Sequence, residues 1–446
     1  MRLNSVLFPA FAATISLAVG FFGHRLYEST HQSLNQNLMV ELMLSEARSS
    51  ASLSHPAASA AISDHAAPSP VSDPAVPSPQ PSPAPALPST LAAQLMALKR
   101  GQFPPGRSLR ILQIGDSHTA GDFFTEQLRS KLQADFGNSG IGWILPGHVP
   151  GQSAARYDVR SYGAWTYYTG RGASPSRSTP LGGFVNTGSA GSSMVVRPLA
   201  RGVGRWRFHA LVRSAAAGGG SVRLQGGGRQ TGSVPISAVW QAVDLITDAP
   251  LAPEYSLKVS SGRVEVAGFW LENDQAGVVV DHVGRNGATL YAFNRWSDDS
   301  IARQLAIRPV DAILLAYGTN EAVDRITDRE YALQLIRVIR RLKQASPNTA
   351  VIVLTAPSFA KGRHSSCQAW LPLSLKAVVS AQSMATHIPG VQVWNWMEAM
   401  GGECGVATWA RQGLMASDWI HFTPAGYRRS ADLLMDWLQS QIRRIP

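Results

Sequence analysis

Ser117, His421 and Asp418 are residue types that together perform nucleophilic chemistry. A serine hydroxyl attacks poorly until a neighbouring base takes its proton. Asp418 stands three residues before His421 in Ser417-Asp-Trp-Ile-His421. A carboxylate so placed can accept from one imidazole nitrogen and leave the other facing a serine. Two more positions could stabilise the oxyanion that such an attack creates. Gly287, in Val283-Gly-Arg-Asn-Gly-Ala-Thr289, offers an unobstructed backbone N–H. Asn320, in Tyr317-Gly-Thr-Asn-Glu-Ala322, offers a side-chain amide. Taken singly, each has an ordinary explanation: a helix cap for the serine, turns for glycine and asparagine, a surface contact for Asp-His. Taken together they point to acyl transfer at a serine. No His/Cys/Asp cluster has metal-ligand spacing, and neither metal nor cofactor is expected.

These residues need elements that bring them to one place. Leu109-Arg-Ile-Leu-Gln-Ile114 reads as a short buried strand running into Gly115-Asp116-Ser117-His118-Thr119. Phe124, Leu128, Leu132 and Phe136 recur every four residues, which predicts an amphipathic helix over 121–136. The serine then sits between a strand's carboxyl end and a helix N-terminus, where its own N–H can meet an oxyanion. The α/β-hydrolase elbow would need glycine two residues after the serine, and Thr119 stands there instead. Further strands are expected near 277–282, 310–316, 349–355 and 390–395. A crossover helix is expected over 328–345, where Ala332, Leu335, Ile336, Ile339 and Leu342 share a face. The glycine and asparagine turns follow two of those strands, at the sheet edge where open α/β folds bind ligands.

Composition narrows the class. The chain has 446 residues, two cysteines, a formal charge of +11 and 45% apolar residues. That excludes a wholly disordered, collagen-like or multi-span membrane chain, and also a disulfide scaffold. The basic residues are scattered, with no nucleic-acid module, so no nucleic-acid partner is expected. Residues 4–23 carry no charge and follow Arg2, a length that can cross a bilayer. No small-residue cleavage site follows, which favours an uncleaved inner-membrane anchor over a cleaved signal peptide. Either places the rest outside the cytoplasm, in the periplasm. Ten prolines between Pro56 and Pro88 mark residues 25–95 as an extended linker.

Residues 150–275 interrupt the strand–helix pattern. Glycine clusters and alternating segments such as Gly204-Arg-Trp-Arg-Phe-His-Ala-Leu211 predict antiparallel strands. Trp165, Trp206, Trp240 and Trp270 could offer sugar-stacking faces or fill a β-sandwich core. Cys367 and Cys404 could pair in an oxidising compartment or stay as free buried thiols.

The four blocks, in this order, resemble the SGNH hydrolase superfamily, also called GDSL-like esterases. The Gly-Asp-Ser-His-Thr block and the long β-rich insertion resemble the subfamily that removes O-acetyl groups from peptidoglycan. The chain departs from the wider family at His118, where leucine is usual, and at Glu321, where many members have aspartate. The resemblance implies a three-layer α/β/α sandwich on a five-stranded parallel sheet, formed by 96–149 and 276–446. The insertion would be a β-sandwich resembling a carbohydrate-binding module. It further implies Ser117, His421 and Asp418 as a catalytic triad, with Ser117, Gly287 and Asn320 as the oxyanion hole. The expected substrate is an acetylated envelope or secreted polysaccharide, peptidoglycan first and an exopolysaccharide such as cellulose second. Envelope or polysaccharide-export machinery would be a partner. A polysaccharide O-acetyltransferase using the same triad and a non-catalytic polysaccharide-binding scaffold are the alternatives.

Overall fold

The structure is a computed structural model that describes residues 90–445 apart from 105, 169–178, 182, 201, 203 and 363–365. The expected anchor and most of the expected linker lie outside the described residues. No helix among the described residues is long and apolar enough to cross a membrane. A helix at Leu91–Lys99, capped by Thr90, buries Leu91, Leu95 and Leu98. This helix covers the last residues of the expected linker, because apolar spacing resumes at Leu91.

Five strands form one parallel sheet: Leu109–Gly115, Val278–Gly284, Ala312–Ala316, Ala350–Leu354 and Val391–Trp394. Val278–Gly284 lies at one edge, then Leu109–Gly115, Ala312–Ala316, Ala350–Leu354 and Val391–Trp394 follow in order. Their near-continuous apolar runs suit strands covered on both faces. The crossover helix spans Asp328–Ala345 as its periodicity requires. Thr327 and Glu330 close its first turn reciprocally, each side chain accepting the other residue's N–H.

The helix expected over 121–136 is present and starts two residues later, preceded by a separate short turn. Ser117–Ala120 forms one short turn and Phe123–Phe136 the main helix, with Asp122 between them in the left-handed region at φ 57°. The buried Asp122 carboxylate lies 3.3 Å from the Arg129 guanidinium and 3.2 Å from the His282 ring, and it accepts the Ala155 N–H at 3.1 Å. Burial pushes its pKa up, but His282 and Arg129 outweigh that and hold it below the usual carboxylate range. That many partners over-determine an unfavourable backbone.

The inserted unit is antiparallel and begins earlier than expected. Gly140–Ile144 already pairs with its longest strand, Tyr255–Asn273. That long strand serves two sheets. Its first half pairs with Ser193–Pro198 and Gly220–Gly226. Its second half pairs with Val185–Ser189 and Trp206–Ser214. Phe208, Tyr255, Leu257 and Phe269 fill the space between the sheets. Where the insertion meets the parallel sheet, Glu272 accepts from both Arg110 and Arg308, and Arg308 also pairs with Asp281. Cys367 and Cys404 form a disulfide, with Cα atoms 5.8 Å apart.

Candidate active site

The strand Leu109–Gly115 delivers Asp116 and Ser117 to the carboxyl edge of the sheet. Asp116 caps the short helix that Ser117 opens, accepting the His118 N–H at 2.9 Å. The segment before the terminal helix Pro424–Ile442 brings His421 to the serine. His421 Nε2 lies 2.9 Å from Ser117 Oγ, and His421 Nδ1 lies 2.6 Å from Asp418 Oδ2. Asp418 Oδ1 accepts the N–H groups of Ile420 and His421, both at 3.0 Å. Burial would raise the Asp418 carboxyl, yet the His421 ring and these two N–H groups hold it below its ordinary value. The three residues therefore form the serine–base–carboxylate relay that their types suggested.

The glycine and asparagine blocks arrive from the neighbouring strands. Gly287 sits at φ +72°, and no atom lies within 4 Å of where a Cβ would be. Its glycine identity thus serves the backbone turn and keeps the approach clear. Gly284, by contrast, abuts the backbone of Thr119 and Ala120, so a side chain there would push the sheet edge off the serine turn. Asn320 donates one amide hydrogen to Ala288 O at 2.8 Å, which fixes the amide and leaves its second hydrogen for a ligand. Among the described residues, the N–H groups of Ser117 and Gly287 have no protein acceptor.

Glu321 has a role that the sequence did not show. It is buried, and its two carboxyl oxygens accept the N–H groups of Leu290, at 2.8 Å, and Gly318, at 3.1 Å. It therefore ties the loop after Gly287 to the turn that carries Asn320. The signal existed only as an acidic residue beside Asn320; the pairing with Leu290 spans 31 positions. His118, the other departure, is buried with Nδ1 3.2 Å from the Tyr427 hydroxyl. Burial first, and then His421, pushes its pKa down to about 3, so it stays neutral. It packs under His421 and Phe422 with ring centroids 5.4 Å from each.

Burial pushes the Asp116 carboxyl up to about 8, and the Glu321 charge adds to that. Burial likewise pushes Glu321 up to about 7, against the two N–H groups that favour its ionised form. A carboxyl whose folded pKa is raised contributes stability that is present below its unfolded value, near 4, and is lost as pH rises through its folded value. Buried His118 and His282 have lowered pKa values, so their contribution is already complete above about pH 6.5. The window from pH 6.5 to 8 therefore isolates the carboxyls. In denaturant unfolding across it, the wild type should lose stability relative to Asp116→Asn, by up to about 1.4 kcal/mol per pH unit. Parallel pH profiles would show that Asp116 is already ionised at pH 6.5.

The expected sugar-stacking aromatics need correction. Trp206 is 1% exposed and belongs to the core between the two sheets. Trp270 is 4% exposed, stacked between His209 and Trp143 with the Arg308 guanidinium over its ring. Trp240 is 6% exposed, with the Arg213 guanidinium 4.7 Å from its ring centre. None of the three has a face to offer a sugar, because these strands turn their large aromatics into packed layers. Trp165 is half-buried, its indole N–H donating to Tyr162 O at 3.0 Å.

Residues 263–429 match the GDSL-like lipase/acylhydrolase family, and residues 139–252 match the N-terminal domain of peptidoglycan O-acetylesterases. The second match starts at the strand Gly140–Ile144, in line with the early start of the insertion. No curated protein matches the sequence. Among solved structures, a peptidoglycan O-acetylesterase is 31% identical with a TM-score of 0.69, over 79% of this chain and 95% of that one. A Bacillus subtilis protein is 14% identical with a TM-score of 0.32, over 67% of this chain and 97% of that one. A family two carbohydrate esterase from Cellvibrio japonicus is 12% identical with a TM-score of 0.28, over 64% and 99%. At those two scores neither carries an argument. The 31% identity extends over 79% of this chain and nearly the whole of its relative, so the chain belongs to the GDSL-like acylhydrolases, in the branch of the peptidoglycan O-acetylesterases.

Proposed function

We propose that the chain removes O-acetyl groups from a glycan outside the cytoplasm, the first candidate being the peptidoglycan strand and the alternative an acetylated exopolysaccharide such as cellulose. The observation that carries this reading is the relay from Ser117 through His421 to Asp418, at 2.9 and 2.6 Å, on the same sheet edge as Gly287 and Asn320. Ser117 Oγ bonds to the acetyl carbon while its proton passes to His421 Nε2, and Asp418 stabilises the imidazolium. The N–H groups of Ser117 and Gly287 and the Asn320 amide hold the oxyanion. The C–O bond to the sugar then breaks, and the sugar oxygen leaves with the proton from His421. Water, deprotonated by His421, attacks the acetyl-serine; the bond from the acetyl carbon to Ser117 Oγ breaks, the serine oxygen takes the proton back from His421, and acetate departs.

Residues 1–24 would anchor the chain in the inner membrane and the proline-rich segment would hold the enzyme out in the periplasm. That arrangement gives a tethered esterase access to envelope glycan, or to a polymer leaving through export machinery. The test is a panel of O-acetylated peptidoglycan, acetylated cellulose and unmodified oligosaccharide acceptors. Acetate release from peptidoglycan, with no acetyl gain on the acceptors, is expected. Acetyl groups appearing on the acceptors in place of free acetate would make the chain a transferase.

A further inference from the structure

Trp419 stands between Asp418 and His421 with its backbone in the left-handed region, at φ 58°. That region is unfavourable for any bulky residue with a Cβ, and it persists only where the surroundings impose it. One peptide unit ties this conformation to the relay. The Trp419 carbonyl accepts the Ala360 N–H at 3.0 Å. The Ile420 N–H, on the other side of the same peptide, donates to Asp418 Oδ1 at 3.0 Å. Returning Trp419 to an ordinary extended or helical backbone would rotate that peptide. Asp418 would then lose one of the donors that hold it against His421.

The segment itself supplies part of the restraint. Ala416 accepts the Trp419 N–H at 3.0 Å and donates to His421 O at 2.8 Å. The rest comes from outside. The half-buried rings of Trp370 and Trp419 meet edge to face, with centroids 5.2 Å apart at 71°. That is a favoured arrangement for an aromatic pair. Trp370 ends the single turn Cys367–Trp370, in which no residue is buried, so packing alone does little to hold the ring in place. The turn is held by a backbone bond and by a covalent one. Trp370 O accepts the Lys361 N–H at 2.8 Å, next to the Ala360 that holds Trp419. Cys367 is joined to Cys404. The neighbours of Cys404 are fixed in turn, because the Ser358 hydroxyl donates to Glu403 O at 2.5 Å and accepts the Val406 N–H at 3.0 Å. Residues 358–361 thus bond to the flanks of Cys404, to Trp419 and to Trp370 in succession.

We propose that Trp370, pinned by the Cys367–Cys404 disulfide, is a positioning residue for the hydrolysis: through Trp419 it holds Asp418 and His421 in register with Ser117. The proposal rests on the triad reading and deepens it, since the placement of the base comes to depend on a covalent bond outside the site. A misplacement of about 1 Å among reacting groups can cost roughly 100-fold in rate. A chain whose two cysteines are reduced, as in a reducing compartment, would keep its fold and all three triad residues and still turn over slowly.

The probe is a small acetyl ester, hydrolysed by the full chain. Trp370→Ala should lower kcat roughly 10- to 100-fold with KM within about twofold, and Trp370→Phe, which keeps an aromatic edge, should restore most of the rate. Reduction of the folded wild type, verified by thiol titration, should lower kcat to a similar degree. Cys367→Ser combined with Cys404→Ser takes the place of the reductant if the bond resists it. Two further backgrounds show whether the bond acts through the ring pair. In Trp370→Ala, reduction should bring no further loss. In Trp419→Gly, where glycine adopts the left-handed backbone freely, oxidised and reduced forms should turn over at the same rate. Should Trp370→Ala fail to fold, the reduced wild type and Trp419→Gly still decide. An unchanged kcat in the disulfide-free chain, or a further loss on reduction in either background, would overturn the proposal, whatever the melting temperature does. If Ser117→Ala is as fast as the wild type, the triad reading itself falls; an inactive Ser117→Ala beside a fully active disulfide-free chain removes the positioning role alone.

Discussion

Purified Ser117→Ala should hydrolyse a small acetyl ester roughly 10⁴- to 10⁶-fold more slowly than the wild type, at an unchanged melting temperature. The nucleophile is removed outright, while the partly exposed His421 exchanges a serine partner for water. The remaining rate comes from the oxyanion donors, which still polarise a bound carbonyl. A rate within tenfold of wild type would mean that Ser117 only caps its helix and that the ester is attacked from elsewhere.

Asp418→Asn should cost roughly 10³- to 10⁴-fold in kcat with almost no change in the fold. One carboxylate oxygen holds His421 Nδ1 and the other holds two backbone N–H groups. An amide cannot satisfy both sides. If its oxygen stays on the backbone donors, its NH₂ faces Nδ1 and forces the proton onto Nε2, the nitrogen that must accept from Ser117. If the amide turns over, its NH₂ meets two N–H donors and the segment shifts. Steady-state kinetics at several pH values checks this, and a loss below tenfold would make Asp418 a simple loop brace.

Much of this site was legible because its blocks are local. Each is a few residues long, follows an apolar run, and falls where a parallel strand must end. Parallel sheets write themselves as continuous apolar stretches, so the strands at Leu109–Gly115 and Ala350–Leu354 stood out. What stayed hidden depends on distant partners. Alternation in Trp206-Arg-Phe-His-Ala shows two faces without saying that a second sheet covers the tryptophan side. Gly140–Ile144 is a strand only because Phe269–Glu272 pairs with it across more than a hundred residues. The break at Asp122 needs His282 and Ala155 beside it. Glu321 shows its purpose only once Leu290 and Gly318 lie within reach of one carboxylate.

The strand Tyr255–Asn273 has a meaning for how such a chain can be rearranged. It bridges both sheets of the insertion, and only four residues separate it from the edge strand Val278–Gly284. Its penultimate residue, Glu272, is clasped by Arg110 and Arg308 from the catalytic half. Cutting the chain at the borders of the β-rich unit would leave those guanidiniums without that carboxylate. The same cut would take from Asp281, on the edge strand, the Trp143 N–H that it accepts at 2.7 Å. The unit is therefore not a cassette that recombination or an engineer could lift out and exchange. Specificity in this architecture has to change by residue replacement and by lengthening the loops at the rim, with the two halves inherited together.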